Sequence, residues 1–255
     1  MRRYQRQILQ ASRKVPEITA VFWVAKILTT AMGESTSDFF VLKYNPYLVV
    51  TLGGVALAIA LIAQFSVRRY VPWIYWLCVA MVAVFGTMAA DVVHIQLGVP
   101  YVISTIFFSI VLALVFAVWY KHEKTLSIHS IINPQRELFY WAAVLATFAL
   151  GTAAGDMTAV TLSWGYFSSG LLFGALILIP ALAYKFSKLG EVAAFWAAYI
   201  LTRPLGASFA DWFGKSQRIG GRGLGDGHVS VVLTLLIIVC VGYMTLNRQE
   251  NRQER

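Results

Sequence analysis

Four aspartates recur at one place in a repeated pattern. Trp23, Gly33 and Asp38 are spaced by ten and five residues, and the same spacing returns in Trp76, Gly86, Asp91, in Trp141, Gly151, Asp156 and in Trp196, Gly206, Asp211. An aromatic residue, Phe22, Tyr75, Tyr140 or Phe195, precedes each Trp. The chain holds five aspartates and four obey this rule, which sets chance recurrence aside. Carboxylates are hard oxygen donors that suit small cations, and in a low-dielectric setting they also hold protons. The chemistry on offer is cation binding or proton exchange.

The first copy is the richest. Lys26, Thr30, Glu34 and Asp38 fall four residues apart and make one polar stripe on a helix. Two carboxylates one turn apart cannot both ionise cheaply, so one holds a proton, the two share a cation, or Lys26 or Arg203 neutralises them. Arg203 takes the place of Thr30 in the fourth copy, two turns below Asp211, which its long side chain could reach. Pro204 beside it removes a backbone donor and can kink that helix. His94, one turn beyond Asp91, makes that pair a candidate metal site, set against the plainer reading of a histidine at an interface. Asp226 and His228 are weaker candidates of the same kind.

Other motifs carry less. Gly214-Lys215-Ser216 resembles the end of a phosphate-binding loop, but Phe209 stands where that motif needs Gly and no strand precedes it, so the glycines from Gly220 to Gly227 read as a flexible loop. Cys78 and Cys240 lie in apolar runs and read as packing residues. The histidines are scattered and no nucleophile has an evident base, so no enzymatic activity and no cofactor is expected.

The elements that must position these groups are membrane helices. Of the 255 residues, 58% are hydrophobic and 13% charged, whereas soluble domains are nearer about a quarter charged. Eight apolar runs of the roughly 20 residues needed to cross a bilayer fall at about 20–40, 47–67, 73–93, 100–120, 138–159, 163–184, 192–213 and 228–246. The links between them are too short for a soluble catalytic domain. The expected fold is all-α and polytopic: eight transmembrane helices as four parallel tandem two-helix repeats. The repeats fall at approximately 16–70, 71–122, 136–188 and 190–247 of a single membrane domain, 1–255, with basic cytoplasmic tails at 1–15 and 248–255.

The net charge of +9 is not a nucleic-acid signature, because the basic residues follow membrane topology. Fifteen of the 21 Lys and Arg lie in the two tails or in the links after even-numbered spans, such as Arg68, Arg69, Lys121 and Lys185. The alternate loops hold only Lys43, Lys215, Arg218 and Arg222, and the positive-inside rule puts both termini in the cytoplasm. The basic start followed by an apolar run could be taken for a signal peptide, but the same segment recurs downstream as an ordinary span.

Over the 15 residues from Trp to Asp, a helix turns by a net of roughly 60° and climbs about 22 Å, so both side chains lie near one face. The Trp is expected near the inner interface, for anchoring and packing and not for stacking on a ligand, and the Asp in the outer half of the membrane. The Gly between them permits close helix crossing, as do Gly53, Gly54, Gly170 and Gly174 of the even spans. Each Asp could simply end its helix. That placement opposes the macrodipole, which favours a convergent polar site instead.

On these residues the sequence resembles the bacterial uncharacterised membrane-anchored protein family, built from four tandem copies of a two-span repeat of unknown function. The most specific stretches are Phe22 to Thr30, Gly33-Glu34, and Phe209-Ala210-Asp211-Trp212 with the glycine-rich loop after it. The resemblance covers nearly the whole chain and implies an eight-span protein of the bacterial inner membrane. Function is then expected from the polar residues. The first reading is a transporter or channel for a small cation, divalent or proton-coupled, with Asp38, Asp91, Asp156, Asp211, Glu34, Lys26 and Arg203 along its path. The second is a scaffold or sensor that offers its basic cytoplasmic link to a partner or to anionic lipid. The bilayer is the expected partner in both, and neither assigns an oligomeric state.

Overall fold

A computed structural model describes residues 13–186 and 189–253 of the chain. Most of the two basic tails, and Lys188, lie outside the described residues or at positions without a described side chain. Among the described residues there are eight α-helices and no strand. They are α1 (Ala20–Lys43), α2 (Pro46–Ser66), α3 (Pro72–Asp91), α4 (Tyr101–Glu123), α5 (Pro134–Asp156), α6 (Gly165–Phe186), α7 (Glu191–Gly214) and α8 (Asp226–Gln253). Local chemistry sets their starts. Thr19 caps α1 by accepting from the Phe22 amide, and the side chains of Asn45 and Asn133 cap α2 and α5, each ahead of a proline at the first helical position. A π-helical turn extends α3 through Val92–Gln96 and another extends α5 through Met157–Thr161, both directly after the motif aspartate.

Six helices, α2 to α6 and α8, are long and apolar enough to cross a membrane. The other two, α1 and α7, are 24 residues each, about 36 Å, but carry more polar residues. Those polar residues face inward: Lys26, Glu34, Asp38, Arg203 and Asp211 are all buried. The reason is architectural. The four motif helices α1, α3, α5 and α7 form a closed inner ring, each packed on the next and α7 packed back on α1. The even helices lie outside this ring and expose their apolar side chains, among them Leu52, Ile59, Phe107, Leu114, Leu178 and Val239. A hydrocarbon surround is the solvent that such a surface fits.

The two helices of a repeat, joined by a short loop, are not each other's main packing partners. Instead α2 packs on α3, α4 on α5, α6 on α7, and α8 closes the circle on α1. Small residues make these contacts close. A Cβ on Gly54 would sit 3.2 Å from the Phe85 ring, and one on Gly170 would sit 3.0 Å from Phe209, each on the following motif helix. The even-span glycines thus serve the neighbouring repeat.

Candidate functional site

The inner ring repeats its contacts with cyclic regularity, from the Trp end to the Asp end. At the Trp end, the aromatic residue of each copy meets the Trp of the next: Phe22 with Trp76 at 5.7 Å, Tyr75 with Trp141 at 5.5 Å, Tyr140 with Trp196 at 6.1 Å, and Phe195 with Trp23 at 5.7 Å. The Tyr75 and Tyr140 hydroxyls bond at 2.5 Å. Trp76, Trp141 and Trp196 are buried in this aromatic belt, where they pack inside the bundle. They are internal because the even helices cover the ring from outside.

Ten residues after each Trp comes the motif glycine, and it receives the residue that lies seven after the Trp of the next copy. A Cβ on Gly33 would meet that of Ala83 at 2.5 Å, and one on Gly86 would meet Phe148 Cβ at 2.8 Å. Gly151 has Arg203 in the same place, and Gly206 has Thr30, closing the circle. The glycines are needed for backbone approach, as read from the sequence, and each binds its neighbour with one geometry.

This register explains Arg203. Its guanidinium lies on the axis with 0% exposure and reaches the position eleven after Trp in the other three copies: Glu34, Thr87 and Thr152. Nη2 donates to Glu34 Oε2 at 2.5 Å, to Thr152 Oγ1 at 2.7 Å and to Thr87 Oγ1. Arg203 therefore turns across the bundle to Glu34, not along its own helix to Asp211. The close approach at Gly151 aims it there. Copy by copy, that column reads Glu, Thr, Thr, Ala opposite an Arg. Aligning the repeats on Trp would have exposed it.

Lys26 is 1% exposed and its Nζ has no hydrogen-bond partner. It rests between two aromatic faces, 4.1 Å from the Phe148 centroid and 4.2 Å from that of Tyr199. Phe148 takes the Arg203 guanidinium as well, 5.3 Å from its ring. Cation–π attraction therefore supplies what Lys26 lacks in acceptors, and it does not neutralise Glu34.

At the Asp end the carboxylates gather. One ligand atom each of Glu34, Asp156 and Asp211 lies within 4.8 Å of the other two. Asp38 accepts from Lys215 Nζ at 2.5 Å, and Asp211 Oδ1 is 3.8 Å from the same ammonium. Asp91 accepts from Ser37 at 2.8 Å. Asp211 is 4% exposed, and its Oδ1 has no hydrogen-bond partner. Lys215 stands just past the end of α7, where burial works against its charge. The carboxylates of Asp38 and Asp211 outweigh that and raise its pKa above the ordinary lysine range. In the sequence Lys215 reads as a loop residue, and only the folded chain brings its ammonium onto Asp38 and Asp211.

The remaining candidates lie apart. His94 Nε2 pairs with Ser104 Oγ at 2.5 Å and its ring packs edge-on against Tyr101, so His94 turns away from the carboxylate group that Asp91 joins. The π-helical turn that begins at Val92 carries His94 toward α4. His228 meets the Leu224 carbonyl at 3.1 Å, and Asp226 lies against Gly214. The glycine-rich loop folds back on the end of α7, with Leu224 N donating to Phe213 O at 3.0 Å and Gly223 N to Lys215 O at 2.8 Å. It is a tied-down cap, unlike the flexible loop expected. Cys78 and Cys240 are free thiols.

At the Trp end a second polar knot joins three segments. Lys14 Nζ pairs with Glu137 Oε2 at 2.5 Å, and Gln64 donates to Glu137 Oε1 at 2.7 Å. The 121–136 link is held as well, by Arg136 to Glu123 at 2.5 Å and by Trp196 Nε1 to the Leu126 carbonyl at 2.9 Å.

Comparison with known proteins places this geometry in a family. No characterised protein and no solved structure matches the chain. The family profile described as Repeat of Unknown Function (DUF347) matches four times, at residues 21–70, 74–125, 139–189 and 194–250. The four matches cover most of the sequence and coincide with the four motif helices, each with the even helix that follows it, and the chain belongs to the DUF347 family.

Proposed function

We propose that this protein is a cation transporter of the bacterial inner membrane, with the carboxylate cluster at the Asp end of the ring as its binding site. One observation carries the reading. Glu34, Asp38, Asp91, Asp156 and Asp211 share one half of a closed bundle in which, among the described residues, Arg203 and Lys215 are the two cations paired with them, while the Lys26 ammonium lies apart between Phe148 and Tyr199. Three carboxyl groups are left over, and each ionised group at membrane depth costs about 2.5 to 3.5 kcal/mol on insertion scales. The surplus must hold protons or a cation. Donor atoms no more than 4.8 Å apart lie within about twice the roughly 2.4 Å reach of an oxygen donor to a hard divalent ion.

The distribution of Lys and Arg orients the ring with its Trp end toward the cytoplasm and both termini inside. In this orientation the aromatic belt and the Arg203 knot close the cytoplasmic half, while the cluster lies toward the outer face beneath the loop that carries Lys215. The arrangement fits the outward-facing form of a carrier that exchanges protons for a cation.

A scaffold or sensor role would need the 121–136 link free to meet a partner. The Arg136–Glu123 pair closes the link on itself, and its bonds to Trp196 and Glu191 tie it to α7, which favours transport. The test is flux into proteoliposomes loaded with a metal-sensitive dye and a pH dye, using Mn2+, Mg2+ and Ca2+. Wild type should carry at least one of these ions with opposite proton movement, and Asp156→Asn should abolish flux while the protein still elutes as a folded peak. Wild-type vesicles that admit the ions no faster than empty ones, or unchanged flux in Asp156→Asn, would remove the reading.

A further inference from the structure

We propose that Lys215 is a tethered placeholder: its ammonium occupies the acidic cluster when no ion is bound and is displaced when a divalent cation enters. The inference rests on the cluster being a cation site and adds what fills and regulates it. Three observations meet here. The Lys215 ammonium bridges Asp38 at 2.5 Å and Asp211 at 3.8 Å. Asp211 also belongs to the set of three whose donor atoms lie within 4.8 Å of one another. Its Oδ1 is buried with no hydrogen bond and meets Lys215 across this long ion pair. A divalent ion drawing on Asp211 competes with Lys215 directly.

The backbone around Lys215 makes this a device and not a loose contact. Lys215 N donates to the Asp211 carbonyl at 2.9 Å and its own carbonyl accepts from Gly223 at 2.8 Å. Gly221 lies so close to that carbonyl that no side chain would fit there. The main chain is therefore fixed and only the four-carbon stem can move. A lysine is a flexible point charge that leaves a carboxylate more easily than a forked guanidinium does. Arg203, held by Glu34 and two threonines, is the fixed counter-charge, and Lys215 is the exchangeable one.

The experiment measures Mn2+ binding to the detergent-purified full chain alongside chemical labelling of Lys215. Labelling uses a water-soluble amine-acylating reagent read by mass spectrometry, with Lys43, exposed past the same ring end, as internal reference. Saturating Mn2+ should raise Lys215 labelling several-fold relative to Lys43, and Lys215→Met should bind Mn2+ with a Kd ~10-fold lower or more, as expected on losing a like charge from a shielded site. If Mn2+ binds while the labelling ratio stays constant, or if Lys215→Met binds no tighter, the placeholder is overturned and the cation site stands. If neither protein binds Mn2+, the site reading falls and takes the placeholder with it.

Discussion

Gly151 and Gly155 lie one turn apart on α5 and give a matched pair of substitutions. In an exposed helix, Gly→Ala gains about 1 kcal/mol from propensity alone. At Gly155 a new Cβ would find its nearest neighbours at 3.8 Å, an ordinary contact, so Gly155→Ala should keep that gain. At Gly151 the new Cβ would overlap the Arg203 side chain and meet Pro204 Cδ at 3.0 Å. The obstruction includes Arg203 Cβ at 2.5 Å, which sits next to backbone and cannot rotate aside. Helices α5 and α7 must separate by roughly 1 Å, an overpacking cost of about 1 to 3 kcal/mol. The shift also pulls Arg203 from Thr152 and loosens its pair with Glu34, which adds a share of the about 3 to 5 kcal/mol for breaking a buried pair. Net of propensity, Gly151→Ala should cost about 2 to 4 kcal/mol. At about 2 to 4 °C per kcal/mol for a chain of this size, the apparent Tm falls by about 5 to 15 °C. Tryptophan fluorescence at a fixed scan rate in detergent reads the change. Equal tolerance of both variants, or greater damage from Gly155→Ala, would refute the claim that the motif glycines fix the ring register.

The other predictions concern charge. Arg203→Met and Glu34→Leu should each destabilise strongly, because each leaves a buried charge without its main partner, whereas the double variant should lose much less than their sum; additivity within about 0.5 kcal/mol in a thermal or denaturant series would show that the two do not couple. The stability that Lys215 contributes should be constant below the ordinary lysine pKa of about 10.4 and disappear as pH rises through its higher folded value, since the folded pKa is raised. Comparing wild type with Lys215→Met from neutral to alkaline pH checks this: a difference that shrinks between pH 6 and 9 would contradict the assigned ion pairs.

Much of this architecture was legible in the residues because membrane helices and repeats write strong periodic signals. The fixed Trp, Gly, Asp spacing places the inner helices, and the placement of four of the five aspartates in that pattern marks the acidic end. What was hidden depends on rotation and neighbour choice. Arg203 could have reached Asp211 along its own helix or Glu34 across the ring, and only the Gly151 crossing decides between them. The even helices are so uniformly apolar that nothing in them reports which motif helix they cover. Composition places the Trp residues near one end of the helices but cannot tell a belt facing lipid from one facing a bundle axis, and here three of the four are buried. Lys215 was missed for a simpler reason: a lysine in a glycine-rich loop looks solvated until the loop folds back.

Ring closure by α8 on α1 also bears on how such a molecule could arise. Four separate copies of a two-helix peptide could build the same circle as a homotetramer, each lending its outer helix to a neighbour. In that ancestor every position on the axis would be occupied four times over, and four guanidiniums or four ammoniums could not share one centre. Joining the copies into a single polypeptide lets one Arg face one Glu and two threonines, so covalent fusion is the condition for an asymmetric charge pair inside a symmetric shell.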